Sequence, residues 1–368
     1  MGLLGLSGCG SPSSASVEMS SQTELVKTGS MELQYAENFT VDYYEGGYKL
    51  LTTLPDDKRY LLVPEGQGVP ADLDEDICVL QEPLQNIYLV ASGVMDMFAS
   101  VDAVDQIRFS GQKQENWYIQ TAKDAMAAGD MIYAGKYSKP DYELLVSEGC
   151  DLAIENRMIT HSPEVVEMLQ SFDIPVMIEY SSYEQHPLGK VEWVKFFGAL
   201  TGREAEAEEA FAEQTEILEE VESGEKTGKT IAFFYVTSNG LIQVRQSTDY
   251  IPKLIELAGG RYIFEDLEDS GSGRSTLNMQ IEDFYAGAKD ADILIYNSSI
   301  DGGVTTVDEL IGKCNILKDF KAVQEGQVYC TTNDMYQQSM AIGYLLQDMH
   351  TVLTDDDTAK LRYLFLLQ

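Results

Sequence analysis

The sequence PLGKVEWVKFFGALTGREAEAEEAFAEQTEILEEVES, residues 187–223, is almost wholly helical in character and separates two halves of the chain. It is interrupted only near Thr201-Gly202. Beyond that point the apolar side chains recur at helical spacing and form one narrow stripe, Ala207, Ala210, Phe211, Gln214, Ile217, Leu218 and Val221, while the glutamates lie largely elsewhere. We predict one long helix with an acidic outer face, within a connecting segment of residues 185–224.

Short apolar runs alternate with helical patterns on both sides of this segment. In the first half they predict strands at 77–80, 107–109, 151–155 and 176–180, and helices at 83–99, 116–128 and 163–171. In the second half they predict strands at 230–236, 262–264, 293–296 and 328–331, and helices at 249–258, 281–289, 307–313 and 336–353. Such alternation is typical of sheets with parallel strands.

The predicted fold class is therefore α/β, with two Rossmann-like lobes joined by one long α-helix and a ligand cleft between the lobes. The predicted divisions are a tether over residues 1–30, an N-terminal lobe over 31–184, the connecting segment over 185–224 and a C-terminal lobe over 225–368. Alternating residues over 37–64 predict a hairpin and a further strand at the edge of the first lobe.

The charge of the chain excludes some partners. The 368 residues carry a formal net charge of −36, from 61 acidic and 25 basic residues. Nucleic acid and anionic lipid both require clustered Lys and Arg, so neither is an expected partner. No apolar run reaches roughly 18 residues, the length that spans a bilayer. An anionic small ligand would need a site where basic residues gather locally.

The N-terminus contains Leu6-Ser7-Gly8-Cys9, the recognition box at which a bacterial prolipoprotein is cleaved and its cysteine acylated. The stretch before it has no Lys or Arg and is shorter than a usual signal-peptide core, which leaves the start of the signal peptide open. A Ser-, Gly- and Pro-rich stretch over 10–22 is typical of a flexible tether. We predict acylation of Cys9, an extracytoplasmic location and membrane contact through the lipid anchor alone.

Cysteine and histidine usage gives little sign of a metal centre. The remaining cysteines form no C-x-x-C pair, and disulfides among them are permitted outside the cell but not required: Cys78, Cys150, Cys314 and Cys330. The histidines are too few for a multi-histidine metal site: His161, His186 and His350. We expect no resident metal or cofactor, with axial ligation of a metal complex by Tyr137, Met158 or His161 as a minor alternative.

Three local stretches carry a family resemblance. The three are Gly135-Lys-Tyr-Ser-Lys-Pro-Asp-Tyr-Glu143-Leu-Leu-Val-Ser-Glu-Gly-Cys-Asp151-Leu-Ala-Ile154, Leu257-Ala-Gly-Gly260, and Gln280-Ile-Glu282-Asp-Phe followed by Ala291-Asp-Ile-Leu-Ile-Tyr296. They resemble sequence patterns of the substrate-binding proteins of bacterial ABC importers. The likeness is to the rigid single-helix class that serves iron-siderophore, heme and cobalamin uptake. Gly149-Cys150 departs from the usual Lys-Pro of that pattern.

The resemblance implies a monomeric binding protein that captures an iron complex, siderophore or heme, and delivers it to an ABC permease. It also implies that a glutamate on each lobe, Glu143 and Glu282, docks against permease arginines; the alternative is that each is merely a first-turn glutamate favoured by the helix dipole. A corrinoid cargo remains open. A secreted hydrolase is less favoured, because no G-x-S-x-G, H-E-x-x-H or helix-opening G-x-G-x-x-G occurs.

Ligands of two-lobed binders lie where the carboxyl ends of parallel strands converge. The aromatic, basic and apolar residues in those loops are the candidate ligand contacts: Trp117, Tyr118, Tyr137, Arg157, Met158, Arg245, Arg274 and Tyr336. Aromatic rings suit a flat or greasy complex, and arginines offer forked donors to carboxylate or catecholate oxygens.

Several candidates also have a structural alternative. Trp117 and Tyr118 would serve equally to pack a helix start. Arg157 could pair with Glu155 or Glu164, and Arg245 with Asp249 or Glu256. Arg274 belongs to a Ser/Gly run of the kind that usually forms a surface loop.

Overall fold

The first lobe is built on a parallel sheet. The computed structural model describes residues 25–267, 275–298, 302–355 and 358–368. The sheet has the order β12-β11-β6-β7-β8, formed by β6 (Ile87–Leu89), β7 (Ile107–Ser110), β8 (Ile132–Tyr133), β11 (Leu152–Asn156) and β12 (Val176–Glu179). Its helices are α1 (Val94–Ser100), α2 (Gln120–Ala128), α3 (Tyr142–Ser147) and α4 (Pro163–Ser171), and β9 (Gly135–Lys136) pairs with β10 (Lys139–Pro140).

The second lobe repeats this plan on a larger mixed sheet. Its order is β16-β14-β13-β17-β18-β19, with β15 also paired to β13. The strands are β13 (Thr230–Val236), β14 (Ile242–Arg245), β15 (Arg261–Tyr262), β16 (Thr276–Met279), β17 (Ile293–Tyr296), β18 (Val328–Thr331) and β19 (Leu364–Leu366). The helices are α7 (Tyr250–Leu257), α8 (Ile281–Ala288), α9 (Val307–Lys313), α10 (Lys321–Gln324) and α11 (Ile342–Thr354). The two α/β lobes confirm the predicted fold class.

The connecting segment consists of two helices rather than one continuous helix. They are α5 (Pro187–Thr201) and α6 (Glu204–Glu222). Gly202 between them adopts φ +70°, a left-handed conformation that ends α5 and that glycine adopts readily. The apolar stripe of α6 is buried at Ala207, Phe211 and Leu218 as the spacing predicts, whereas α5 is buried on nearly every face.

The N-terminal strands, which include the hairpin and the further strand predicted over 37–64, form a sheet of their own beside the parallel sheet of the first lobe. The sheet has the order β1-β2-β3-β4-β5, from β1 (Lys27–Ser30), β2 (Phe39–Tyr44), β3 (Lys49–Thr53), β4 (Lys58–Val63) and β5 (Ile77–Gln81). Only the β4–β5 pairing is parallel. Phe39 packs against Trp193 and Phe196 of α5, so this sheet helps to bury the connecting segment.

The predicted helix over 83–99 is wrong. Ile87–Leu89 is strand β6, and the helix begins only at Val94. A short run that is buried on both faces has no alternation, so its pattern does not distinguish a strand from a buried helix. None of the helices in the described ranges is both long and apolar enough to cross a membrane.

Candidate functional site

A cavity of about 250 Å³ lies at the carboxyl ends of the first-lobe strands. Residues 91–93 follow β6, residues 156–158 follow β11 and residues 181–183 follow β12, and all of them contribute to its wall. Tyr336 and Ser339, which follow β18 of the second lobe, complete the wall. Both lobes therefore meet at one concave site, at the place where strand ends converge.

Arg157 and Met158 bring first-lobe side chains to this cavity. They begin the 3₁₀ turn Arg157–His161, in which the Asn156 side chain accepts a hydrogen bond of 2.9 Å from the Met158 N–H. The Arg157 guanidinium lies 4.5 Å from the centroid of the Tyr183 ring, a cation–π contact within the same wall. Met158 is half exposed. This pair offers a cation and a soft apolar surface to a ligand.

Arg245 is not on the cavity wall but holds Tyr336 in it. Its Nη1 atom donates to Asp249 Oδ2 at 3.3 Å, and its Nη2 atom donates to the Tyr336 hydroxyl. The Asn297 side chain donates to the same hydroxyl at 2.9 Å. Arg245 is thus a buried ion-pair partner of Asp249 that positions Tyr336, and its direct contact with a ligand stays a prediction.

The hydroxyl of Tyr336 is held in its neutral form. Burial raises the pKa of Tyr336 to about 12, although the positive charge of Arg245 acts in the opposite direction. With two donors already directed at its oxygen, the phenol presents mainly its ring to the cavity.

Two buried charged residues of the cavity were missed at the sequence level. Lys190 lies near the start of α5 with 5% of its surface exposed, and its ammonium is 4.7 Å from the centroid of the Tyr250 ring. Glu179 ends β12 and accepts hydrogen bonds from the Ser181 N–H at 2.8 Å and from the Ser181 hydroxyl. Burial lowers the pKa of Lys190 and raises the pKa of Glu179. The available signal was a lysine within the largely apolar helical stretch 187–201, since a lysine is rarely buried without a partner.

The aromatic candidates of the first lobe lie away from the cavity wall. Trp117 is 1% exposed in the core, and its indole N–H donates to the Ser110 hydroxyl at 3.1 Å, which matches the packing alternative for this residue. Tyr118 is 47% exposed at the junction of the lobes, where its N–H donates to Gln337 Oε1 at 2.8 Å. Tyr137 packs partly buried against a separate first-lobe cluster. Arg274 and Cys9 lie outside the described residues.

The two candidate docking glutamates are exposed, one on each lobe. Glu143 lies in the first turn of α3, where Asp141 caps the helix by accepting from the Leu144 N–H at 3.1 Å. Glu282 lies in the first turn of α8. Both carboxylates are available to a partner protein.

A second cavity, of about 310 Å³, has several polar residues in its wall, and two of them already accept hydrogen bonds from backbone N–H groups. Glu184 accepts from the Glu37 and Asn38 N–H groups at 3.0 Å each, and His186 accepts from the Leu188 N–H at 3.2 Å. Within the described residues, no cluster of three or more His, Cys, Asp or Glu side chains is placed to hold a metal ion. Among the described residues, no disulfide joins Cys78, Cys150, Cys314 and Cys330.

Comparisons with known proteins agree with this architecture. Residues 90–335 match a family described as periplasmic binding protein. An uncharacterized lipoprotein of Methanocaldococcus jannaschii, MJ0878, is 24% identical over 351 residues, which cover 87% of this chain and 81% of that protein. A second uncharacterized lipoprotein of that organism, MJ0872, is 23% identical and covers 84% of this chain and 79% of its own length.

Solved structures with this fold are more distant in sequence. A possible iron-binding (periplasmic solute-binding) protein of Staphylococcus epidermidis has a TM-score of 0.57 at 17% identity, over 73% of this chain and 98% of that one. The periplasmic heme binding protein HutB of Vibrio cholerae has a TM-score of 0.57 at 14% identity, over 73% and 98%. The catecholate-siderophore binding protein VctP of the same organism has a TM-score of 0.57 at 12% identity, over 73% and 94%.

Proposed function

Since the chain belongs to the periplasmic binding protein family, we propose that it captures an iron complex between its lobes and delivers it to an ABC permease. It is a binding protein and not an enzyme. The observation that carries the proposal is the cavity at the strand ends, to which both lobes contribute.

The chemistry of the cavity wall suits an iron complex of the siderophore or heme type. Arg157 and Lys190 place two cations in the wall against the single carboxylate of Glu179, in a protein whose net charge is −36. Tyr183 and Tyr336 add aromatic surface beside them. The solved relatives whose titles name iron, heme or catecholate siderophore support this class of cargo.

The membrane anchor is the second part of the proposal. Cys9 in its Leu-Ser-Gly-Cys box is the proposed acylation site, and the lipoprotein names of two archaeal relatives support it. Two or more acyl chains would hold the protein stably at the outer face of the cell membrane, where a single chain binds only marginally.

Delivery is the third part. Glu143 and Glu282 present one exposed carboxylate from each lobe, and each is proposed to accept a bidentate hydrogen bond from a permease arginine. A ligand held between the lobes would then be positioned over the permease when both glutamates are engaged.

Isothermal titration calorimetry of the lipid-free protein with ferric siderophores, heme and cobalamins tests the binding claim. We expect saturable 1:1 binding of one iron-complex class, and about tenfold weaker binding by Arg157→Ala, which corresponds to about 1.4 kcal/mol. Arg261→Ala, at an exposed arginine paired with Glu265, is the matched control and should bind as the wild type does. An intact fold that binds nothing in the panel would refute the proposal, and exclusive binding of cobalamin would reassign the cargo.

A further inference from the structure

Two buried polar side chains of the cavity lack a full set of polar partners among the described residues. Ser339 is 1% exposed, and among the described residues its hydroxyl has no hydrogen-bond partner. Lys190 is 5% exposed, and no carboxylate oxygen of the described residues lies within 4.0 Å of its Nζ atom. Both residues line the cavity at the strand ends. Burial of such groups without a partner costs free energy, which a ligand could offset.

From this pair we infer a subsite for a carboxylate group of the ligand, bound by the Lys190 ammonium and the Ser339 hydroxyl. The inference rests on the proposed function in that it places one part of the cargo in the same cavity. It goes further by assigning the anchoring contact to the connecting helix α5 and to the turn before α11.

The charge around Lys190 favours an anion over a neutral group. The charged and titratable groups that act on it include Glu179, Asp249, Asp96, Arg245 and Tyr336. Asp249 is already paired with Arg245, and Glu179 is bonded to Ser181. No carboxylate oxygen of the described residues forms an ion pair with the ammonium within 4.0 Å, and Arg157 adds a second cation to a wall that has Glu179 as its one carboxylate.

The backbone around Ser339 leaves room for the bound oxygen. A Cβ atom at residue 93 would lie only 2.7 Å from Ser339 Oγ, so Gly93 keeps the space beside the hydroxyl open. The next residue, Met340, donates its N–H to Asp96 Oδ2 of the first lobe at 2.7 Å, which fixes the turn against the cavity. The hydroxyl is therefore positioned before a ligand arrives, which reduces the ordering cost of binding.

The size of the cavity limits how much of the ligand enters it. At about 250 Å³ it is smaller than the roughly 300–1,000 Å³ of pockets that enclose a whole drug-sized ligand. A carboxylate arm of a larger complex, or a small hydroxycarboxylate chelate, matches this volume. Both sources share the same carboxylate chemistry.

Thermal unfolding with iron-free carboxylates tests the subsite independently of iron binding. In citrate, compared with chloride at equal ionic strength, we expect the Tm of the wild type to rise, because a ligand that binds only the folded state stabilises it. Lys190→Met, Ser339→Ala and Gly93→Ala should each lose most of that rise, while Lys253→Met, at a partly exposed lysine paired with Glu256 outside this cavity, should keep it. Equal rises in the wild type and in all three cavity variants, or no rise in the wild type, would overturn the subsite. Ser339→Ala and Gly93→Ala decide the question if Lys190→Met fails to fold.

Calorimetric titration then identifies the source of the carboxylate. Ferric citrate and hemin are compared with hemin dimethyl ester, in which both carboxylates are blocked. We expect Lys190→Met to bind the free-carboxylate probe at least tenfold more weakly than the wild type does. Its affinity for the ester, where the ester binds, should be unchanged. Equal affinity of the wild type for hemin and its ester would count against the subsite. A citrate-dependent Tm rise with no binding of any iron complex would instead refute the proposed function and leave the subsite standing.

Discussion

At the scale of single residues, Glu155 is the most unusual group outside the cavity. It lies in β11 with no exposed surface, and neither carboxylate oxygen has a hydrogen-bond partner among the described residues. Burial raises the pKa of Glu155 from 4.5 to about 9, so the side chain is protonated in the folded protein at neutral pH. Arg157, two residues further along the chain, contacts the Tyr183 ring in the cavity wall.

The buried Glu155 predicts a pH dependence of stability. Between its unfolded pKa near 4.5 and its folded pKa of about 9, the unfolded chain releases a proton that the folded chain retains. The free energy of unfolding of the wild type should therefore fall as pH rises through this window, with a slope of up to about 1.4 kcal/mol per pH unit from this group. Glu155→Gln should lack this contribution.

Urea unfolding of the wild type and Glu155→Gln at several pH values from 5 to 9 measures the difference. The advantage of the variant should grow with pH. Glu164→Gln, at an exposed glutamate, is the control and should follow the wild-type profile. Parallel profiles for the wild type and Glu155→Gln would contradict a protonated, buried Glu155.

At the scale of elements, α5 is held by a buried carboxylate as well as by apolar packing. Glu192 accepts hydrogen bonds from the N–H groups of Gln34, Tyr35 and Ala36 at 2.8–2.9 Å. The carboxylate thus fastens the segment between β1 and β2 onto the connecting helix, and Lys195 lies 3.5 Å from it.

Removal of this charge should loosen the N-terminal sheet. Glu192→Gln replaces two acceptor oxygens by one acceptor and one donor, and we expect a loss of about 3 kcal/mol in the free energy of unfolding. Limited proteolysis should then cut the chain near residues 31–38 faster than in the wild type. Glu216→Gln, at an exposed position of α6, is the matched control. Unchanged stability of Glu192→Gln would show that the hydrogen bonds from the 34–36 backbone to Glu192 contribute little.

The contact between α5 and α6 depends on a glycine. A Cβ atom at Gly198 would lie 2.5 Å from the Ala207 Cβ and 3.0 Å from the Arg203 carbonyl oxygen. At Gly312 of α9, an added Cβ would meet no atom of the described residues within 4 Å beyond its own helix and neighbours. Gly198→Ala should therefore destabilise the protein, whereas Gly312→Ala should be neutral or stabilising by up to about 1 kcal/mol from helix propensity. Thermal unfolding distinguishes the two, and equal Tm shifts would contradict the close packing.

Local signals identified many elements correctly. Two helix starts that the sequence predicts show their local signals in the structure. Pro163 occupies the first position of α4, and the Glu309 N–H donates to the Thr306 cap of α9. The strand Ile87–Leu89 was missed because burial on both faces removes the alternation on which the prediction depends. The separate N-terminal sheet was missed because strand pairing between distant segments is decided by tertiary packing.

The candidate site was only partly predictable from the sequence. Arg157, Met158 and Tyr336 follow strand ends, and the structure brings them together in one cavity. Lys190 and Ser339 were missed because neither follows a strand directly, and only packing reveals that they face the same space. Arg245 follows a strand as well, but the ion pair with Asp249 turns it inward, an outcome that residue type and spacing do not distinguish.

At the scale of the whole molecule, the proposed delivery of the cargo requires both lobes to contact the permease at the same time. Glu143→Arg combined with Glu282→Arg should abolish uptake in cells while the dissociation constant for the cargo stays unchanged, because neither residue lines the cavity. The control pair Glu167→Arg and Glu325→Arg reverses the same charges at exposed sites elsewhere on the two lobes and should leave uptake intact. Normal uptake by the Glu143/Glu282 double variant would refute the docking assignment.

The most direct test of the central claim is a crystal structure of the protein with its iron complex, with the metal located from anomalous scattering at the iron edge. We expect one iron peak in or at the mouth of the cavity formed by the strand-end residues 156–158 and 181–183 and by Tyr336. An iron peak in the second cavity beside Glu37 and Glu184, or on an outer surface of one lobe, would contradict it.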